Sequence, residues 1–145
     1  MTEALATRSV VVERVFPHSP AKVWRALTER DLLARWMMPN DFEPVVGRSF
    51  SFRTGPVAHW DGVVNCEVLE IDPPRRLVLR WGVGAPGQPG SLVTTVVFTL
   101  TLESAGTNFR MEQSGFTEAQ EMNRRGAAFG LNRMADQLGA LLGEI

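Results

Sequence analysis

The last part of the chain, Thr117 to Leu142, most constrains the fold, because it predicts one long amphipathic helix. Thr117 and Gln120 have the spacing of an N-terminal capping box. Apolar residues then recur at intervals of three and four: Ala127, Leu131, Met134, Leu138, Leu141 and Ile145. A stripe of this length needs a partner surface wide enough to cover it. The rest of the chain must therefore supply an extended apolar face.

The beginning of the chain predicts a strand followed by two short helices. Arg8 to Phe16 is rich in valine, which favours a strand. Ser19 and Pro20 then place an N-cap residue before a proline at the first helical position, a common start of a helix. The spacing of apolar residues predicts helices over Ala21–Thr28 and Asp31–Trp36.

The middle of the chain predicts further strands, separated by glycine, proline and aspartate. They lie around Phe50 and Phe52, and over Trp60–Ile71, Arg76–Val83, Leu92–Leu102 and Asn108–Ser114. Antiparallel strands with one apolar face need a cover, and only the C-terminal helix is long enough to provide it. We therefore expect an α+β fold, in which a curved antiparallel sheet of about six strands lies against one long helix. The 145 residues fit a single domain, 1–145, with residues 1–7 as a flexible tail.

The overall composition excludes several classes of partner. The formal net charge is -1 at pH 7, so we expect no electrostatic attraction to nucleic acid or to an anionic membrane. No apolar run approaches the roughly 20 residues that span a bilayer. Cys66 is the single cysteine and cannot form an internal disulfide, which fits a cytoplasmic location. Lys22 is the single lysine among 15 basic residues, an arginine bias that fits a GC-rich bacterial genome.

Few residues could perform catalysis or bind a metal. The sequence has two histidines and no paired histidine or cysteine spacing of the kind that binds zinc. We therefore expect no metal and no cofactor. Glu70 and His59 are the groups that could face inward and act as a general acid or base. Cys66, in the middle of a predicted strand, is more typical of a small buried apolar residue than of a nucleophile.

Large apolar side chains are abundant, and some of them could line a ligand pocket rather than fill the core. Gln113 follows Phe109 and Met111 at a spacing of two, so the three share one face of a strand. A glutamine there could lie at the rim or orient a ligand inside a cavity. The candidate ligand-binding residues are Trp36, Phe50, Phe52, Trp81, Phe98, Phe109, Met111, Gln113, Ala127 and Leu131.

Several segments, in this order, resemble a known family. They are Val15–Thr28, Leu32–Trp36, Glu70–Leu77 with Trp81, and Gln113–Phe116. Together they resemble the START-like (SRPBCC) superfamily, in the branch similar to the activator of the ATPase of the ninety-kilodalton heat-shock protein. The resemblance extends over residues 10–142. It implies a helix-grip fold, in which an antiparallel sheet wraps the long C-terminal helix around a cavity.

Two positions depart from the pattern of this family. Many relatives carry Trp-Trp where this chain has Trp36-Met37, and Gly-Trp where it has Gly126-Ala127. Loss of an indole should either enlarge the cavity or be offset by neighbouring side chains. We expect Ala127 to help set the depth of the pocket.

The resemblance leaves the function open, because one fold serves many functions. Relatives include small-ligand binders, polyketide cyclases and dehydratases, and co-chaperone domains. The leading hypothesis is binding of a small hydrophobic or amphipathic molecule between the sheet and the C-terminal helix. The alternatives are a cyclase- or dehydratase-like enzyme and a chaperone-interacting domain.

Phe129 is a large apolar residue of the last helix that lies outside the predicted stripe. It lies about 160° around an ideal helix from Leu131. We expect it to be exposed and to contact a partner. A homodimer would follow if Phe129 or Val97 lies in an exposed apolar patch.

Overall fold

The computed structural model describes residues 8–56, 60–84 and 91–145. The strands are β1 (Arg8–Phe16), β2 (Ser49–Arg53), β3 (Val63–Asp72), β4 (Arg76–Val83), β5 (Leu92–Glu103) and β6 (Gly106–Phe116). The helices are α1 (Pro20–Thr28), α2 (Arg30–Trp36) and α3 (Glu121–Leu142), and one 3₁₀ turn, Glu118–Gln120, leads into α3. The expected flexible tail, residues 1–7, lies outside the described residues.

All six strands form one antiparallel sheet in the order β1-β6-β5-β4-β3-β2. Strands β2 to β6 form a meander, while β1 pairs with β6 and so lies beside the last strand of the chain. Helices α1 and α2 connect the two edges of the sheet, from β1 to β2. The curved sheet wraps around α3, which confirms the predicted helix-grip fold.

Helix α3 begins with the predicted capping box. Thr117 accepts through its side chain, and the backbone N–H of Thr117 donates to Gln120 Oε1 at 2.9 Å. The C-terminal half of the helix then packs on the sheet through its fully buried residues: Leu131, Ala135, Leu138, Leu141 and Leu142. Ala127 and Met134, which the predicted stripe included, are only half-buried. They lie at the edge of the buried face because the sheet does not close against that side of the helix.

Trp36, at the end of α2, is the largest fully buried side chain of the core. Its Nε1 donates to the carbonyl of Ala26 at 2.8 Å, which satisfies the one polar atom of the indole. Its ring meets Phe98 and Phe109 edge-on, with ring centroids 6.3 Å apart in both pairs. The short helices are thus joined to the middle of the sheet.

Two predicted strand boundaries were wrong. The third strand begins at Val63 rather than at Trp60, because Asp61 Oδ1 accepts from the backbone N–H of Val63 and makes a turn there. Gly62 completes this turn with a φ of 78°, and a Cβ at that position would meet the carbonyl oxygen of Gly55 at 1.9 Å. The last strand begins two residues earlier than predicted, at Gly106. The proline- and glycine-rich loop was expected over 84–90, of which residues 85–90 lie outside the described part.

Candidate ligand-binding cavity

A cavity of about 490 Å³ lies between the N-terminal half of α3 and the concave face of the sheet. The helix contributes Asn123, Gly126, Ala127, Gly130, Leu131, Arg133, Met134 and Gln137. The strands and the chain just beyond them contribute Val64, Trp81, Val83, Leu92, Gln113 and Phe116, and the connecting segments contribute Met37, Met38, Thr54 and Trp60. This volume is within the range of roughly 300–1,000 Å³ typical of small-molecule sites.

The cavity exists at this place because α3 carries small residues along one side. A Cβ added at Gly126 or at Gly130 would have no other atom within 4 Å, so nothing packs against the helix there. Ala127, the next residue of this group, is half-buried and lines the same space. Among the described residues, no side chain fills the space beside these two glycines. The helix therefore stands away from the sheet along this side.

The opposite wall is built from inward-facing residues of the strands. Trp81, Leu92 and Phe116 are each buried, and the ring of Trp81 packs on Phe52 with centroids 5.3 Å apart. These side chains alternate with outward-facing ones, as the two-residue period of a strand requires. The apolar wall thus packs on the core beneath it.

Gln113 is the one buried polar residue of the cavity wall among the described residues. It is 4% exposed, and its Nε2 donates to Thr94 Oγ1 at 2.8 Å. Thr94 Oγ1 in turn donates to the backbone carbonyl of Trp81 at 3.4 Å. Both residues lie on central strands, since β5 stands between β4 and β6. The amide is therefore held in a fixed orientation within an otherwise apolar surface.

The mouth of the cavity is polar. Thr54, Asn123, Arg133 and Gln137 line it and are exposed. Arg133 and Gln137 lie outside the predicted apolar stripe, and the open side of α3 brings them to the rim. Arg133 is the one ionisable group among the described lining residues. The site thus combines an apolar interior with a rim that is polar and carries a positive charge.

Four of the ten predicted ligand-binding residues line this cavity: Trp81, Gln113, Ala127 and Leu131. The other six are packed in the core. One is Trp36 on α2, and the rest face the same side of the sheet: Phe50, Phe52, Phe98, Phe109 and Met111. They are covered because α1, α2 and the C-terminal half of α3 fill the rest of the concave face. Strand periodicity shows which residues point inward, whereas the position of the helices decides which of them reach the cavity.

Several wall residues were not among those candidates. Met37, Met38, Trp60 and Phe116 line the cavity, and the sequence marks them only as large, adaptable apolar groups. Met134 was assigned to the buried stripe of α3. Two features of the sequence could have identified this wall: the small residues of α3 around Ala127, and the adjacent methionines Met37 and Met38 after α2.

Glu70 does not face inward, so that prediction was wrong. The pairing of β3 with β4 shifts register between Val68 and Glu70, which places Glu70 opposite Val78. The extra residue of this bulge, Leu69, turns Glu70 to the outer face. There it pairs with Arg76, with 3.0 Å between its Oε2 and the Arg76 Nε. His59, the other candidate acid or base, lies outside the described residues.

Cys66 is buried against Phe50 and Trp81 in the sheet. Burial raises the pKa of its thiol to about 12, and the charge of Arg80 only partly opposes this. The side chain is therefore a neutral thiol at physiological pH rather than a thiolate nucleophile. This agrees with its interpretation as a small buried apolar residue.

Two features are absent from the described ranges 8–56, 60–84 and 91–145. No group of three or more His, Cys, Asp or Glu side chains there is arranged to hold a metal ion. No helix of those ranges is both long and apolar enough to cross a membrane.

Comparison with known proteins identifies the family. The sequence profile of the family described as Activator of Hsp90 ATPase homolog 1-like protein matches residues 17–143. None of the curated proteins matches this sequence. Among solved structures, the chain is similar to protein MLL2253 from Mesorhizobium loti, with 42% sequence identity, a TM-score of 0.85, and coverage of 94% of this chain and 98% of that one.

More distant structures share the fold. Protein NE0264 from Nitrosomonas europaea has a TM-score of 0.77 at 22% identity, with 94% of each chain covered. CalU16 from Micromonospora echinospora has a TM-score of 0.75 at 22% identity, covering 94% of this chain and 76% of that one. The profile match extends over most of the sequence, from the end of β1 to the end of α3. The chain therefore belongs to the Activator of Hsp90 ATPase homolog 1-like family, within the START-like (SRPBCC) superfamily.

Proposed function

We propose that this protein binds a small hydrophobic or amphipathic molecule in the cavity between α3 and the sheet. The observation that carries the proposal is the cavity itself, about 490 Å³ in volume, with an apolar wall and one buried polar residue. Ligand sites in proteins have this character, because apolar surface supplies affinity and a few polar groups supply orientation. A cytoplasmic location is part of the same proposal, supported by the free thiol of Cys66.

The arrangement of polar groups favours an amphipathic ligand. The interior is lined by Trp81, Leu92, Phe116 and Leu131, whereas the exposed polar residues stand at the mouth. A ligand would place its apolar part against the sheet and its polar end beside Arg133. The positive charge there attracts an anionic end more than a cationic one, although solvent weakens this attraction to less than about 1 kcal/mol.

The expected affinity is moderate. A ligand of about 20 non-hydrogen atoms that gains about 0.3 kcal/mol per atom binds with about 6 kcal/mol. That corresponds to a dissociation constant of tens of micromolar. Binding experiments should therefore extend to concentrations of about 100 μM or more.

Filling the cavity tests the proposal. In Ala127→Trp an indole would occupy the space beside Gly130, so we expect the affinity for 1-anilinonaphthalene-8-sulfonate to fall about tenfold or more, the loss of more than about 1.4 kcal/mol of contact. Fluorescence titration measures this change. Ala140→Trp adds the same group to an exposed position of the same helix and should leave the affinity unchanged. Equal binding by Ala127→Trp and the natural protein would contradict the proposal, as would absence of binding to the natural protein.

Among the described residues that line the cavity, none could act as the general acid or base that the enzymatic alternative requires. A general acid or base must reach the reacting proton, and Arg133 is the one ionisable lining residue of the described ranges. Glu70 lies on the outer face.

The co-chaperone-like alternative follows from the family description alone, and it stays a prediction. Recovery of the chaperone in near-equal amounts with the purified chain would favour it over ligand binding.

A further inference from the structure

Gln113, Thr94 and the backbone carbonyl of Trp81 form a chain of two hydrogen bonds. The carbonyl at its end determines which atom donates in each bond. The backbone carbonyl of Trp81 can only accept, so Thr94 Oγ1 donates its proton to it, over 3.4 Å. The lone pairs of the same hydroxyl are then free to accept from Gln113 Nε2, at 2.8 Å. The amide nitrogen therefore points towards Thr94, and the carbonyl oxygen Oε1 points away from it.

The remaining acceptor, Gln113 Oε1, is directed to the cavity. Gln113 lines the cavity although only 4% of the residue is exposed. In the described part of the chain, no side-chain or backbone donor reaches Oε1, while every fully enclosed side-chain nitrogen and oxygen has a partner. The Oε1 atom is therefore not enclosed, and the open space next to it is the cavity. Gln113 Oε1, which has no donor among the described residues, is thus an acceptor presented to whatever fills that space.

We propose that the cavity selects ligands that carry a hydroxyl or N–H group on an apolar body, with that group donating to Gln113 Oε1. This inference rests on the proposed ligand-binding function and adds the chemical class of the ligand. A ligand whose polar atom can only accept, such as an ether, would displace water from Oε1 and leave it unpaired. Sites built to hydrogen-bond a ligand group discriminate strongly against analogues that lack it.

A set of matched aromatic probes tests this selectivity. The probes are naphthalene, 2-naphthol and 2-methoxynaphthalene, which share one ring system and differ in whether they carry a donor. With the natural protein, calorimetric or fluorescence titration should show 2-naphthol binding about tenfold more tightly than 2-methoxynaphthalene, the size expected when one buried acceptor is left without a donor. Equal affinities for these two probes would overturn the inference.

Two variants assign the selectivity to the Gln113 amide. Gln113→Leu removes the acceptor and should weaken binding of 2-naphthol without weakening 2-methoxynaphthalene, so that their ratio approaches one. Thr94→Val removes the hydroxyl that orients the amide, and the ratio should fall because either end of the amide can then face the ligand. Selectivity that survives in both variants would overturn the inference, even if one variant folds poorly.

Controls separate this inference from the function on which it depends. Thr99 lies on β5 like Thr94, but on the outer face of the sheet, opposite Arg76 and Arg110. Thr99→Val should leave the affinities for 2-naphthol and 2-methoxynaphthalene unchanged. If naphthalene binds but 2-naphthol binds no more tightly than 2-methoxynaphthalene, the inference is rejected and the ligand-binding function is supported. Failure of all three probes to bind would reject both.

Discussion

At the scale of single residues, Trp36 shows that a large apolar side chain facing the interior can belong to the core rather than to a ligand site. Its indole is fully buried, bonded to Ala26 and packed edge-on against Phe98 and Phe109. The sequence placed it among the ligand-binding candidates because it faces inward, but α1 and α2 enclose it. Its contribution is therefore to stability rather than to binding.

Truncation of this side chain should be costly. Trp36→Ala leaves a void in a packed core and should reduce the free energy of unfolding by about 3–5 kcal/mol. Trp36→Phe keeps much of the volume, loses the bond to Ala26, and should cost less than the truncation. Urea denaturation followed by circular dichroism measures both. A loss below about 1 kcal/mol for Trp36→Ala would show that the core can close around the missing indole.

At the scale of secondary-structure elements, the sequence predicts the existence and order of every strand and helix. Strand-forming residues bounded by turn residues, apolar residues at helical spacing, and the start signals at Ser19 and Thr117 were sufficient for this. The cavity was harder to predict, because its wall depends on how α3 is rotated against the sheet. Gln113 and Ala127 could be identified from their own positions, whereas Arg133 and Gln137 could not, since they lie outside the apolar stripe. The bulge that turns Glu70 outward also leaves no clear signal in the sequence.

The start of α3 carries a charge cluster with a testable pH dependence. Glu121 accepts from Arg124, at 2.7 Å for Nη2, and from Arg125 and Arg8. The Arg124 hydrogen bond, with those from Arg125 and Arg8, lowers the pKa of this carboxyl to about 2 from its usual 4.5. Because the pKa is lower in the folded state, the stabilisation is present above pH 4.5 and is lost as the pH falls towards about 2.

Carboxyl NMR titration should therefore give Glu121 a pKa well below that of an unperturbed glutamate. Glu121→Gln should flatten the dependence of stability on pH between about 4.5 and about 2. High salt should reduce the difference between the two proteins, because the cluster is at the surface. A Glu121 titration near pH 4.5 would show that these arginines do not hold the carboxylate in solution.

At the scale of the whole molecule, the described surface of α3 carries two large exposed apolar side chains. Phe129 is 74% exposed and Met122, two turns before it on α3, is 77% exposed. Val97, the other residue considered for a dimer contact, is half-buried on the outer face of the sheet. The exposure of Phe129 agrees with the sequence analysis, whereas the homodimer stays a prediction.

Replacement of Phe129 tests that homodimer. Because its side chain is mostly in water, Phe129→Ser should change the free energy of unfolding by no more than about 0.5 kcal/mol. If two copies associate through it, sedimentation should show a dimer for the natural protein and a monomer for the variant. A natural protein that sediments as a monomer at high concentration would contradict the hypothesis.

The pairing of β1 with β6 has a consequence for the order in which the protein can be completed during synthesis. Strand β1 precedes the other described strands in the chain but pairs with β6, where Val12 lies opposite Met111, so it must wait until β6 has been translated. Until β6 is available, the valines of β1 have no neighbouring strand with which to pair. The meander of later strands must form with one edge unpaired. Folding is slow because the long loop between β1 and β6 must close, at a cost in chain entropy, before the contacts between these strands can stabilise it. The nascent chain is thus most exposed to aggregation in the interval before β6 and α3 emerge.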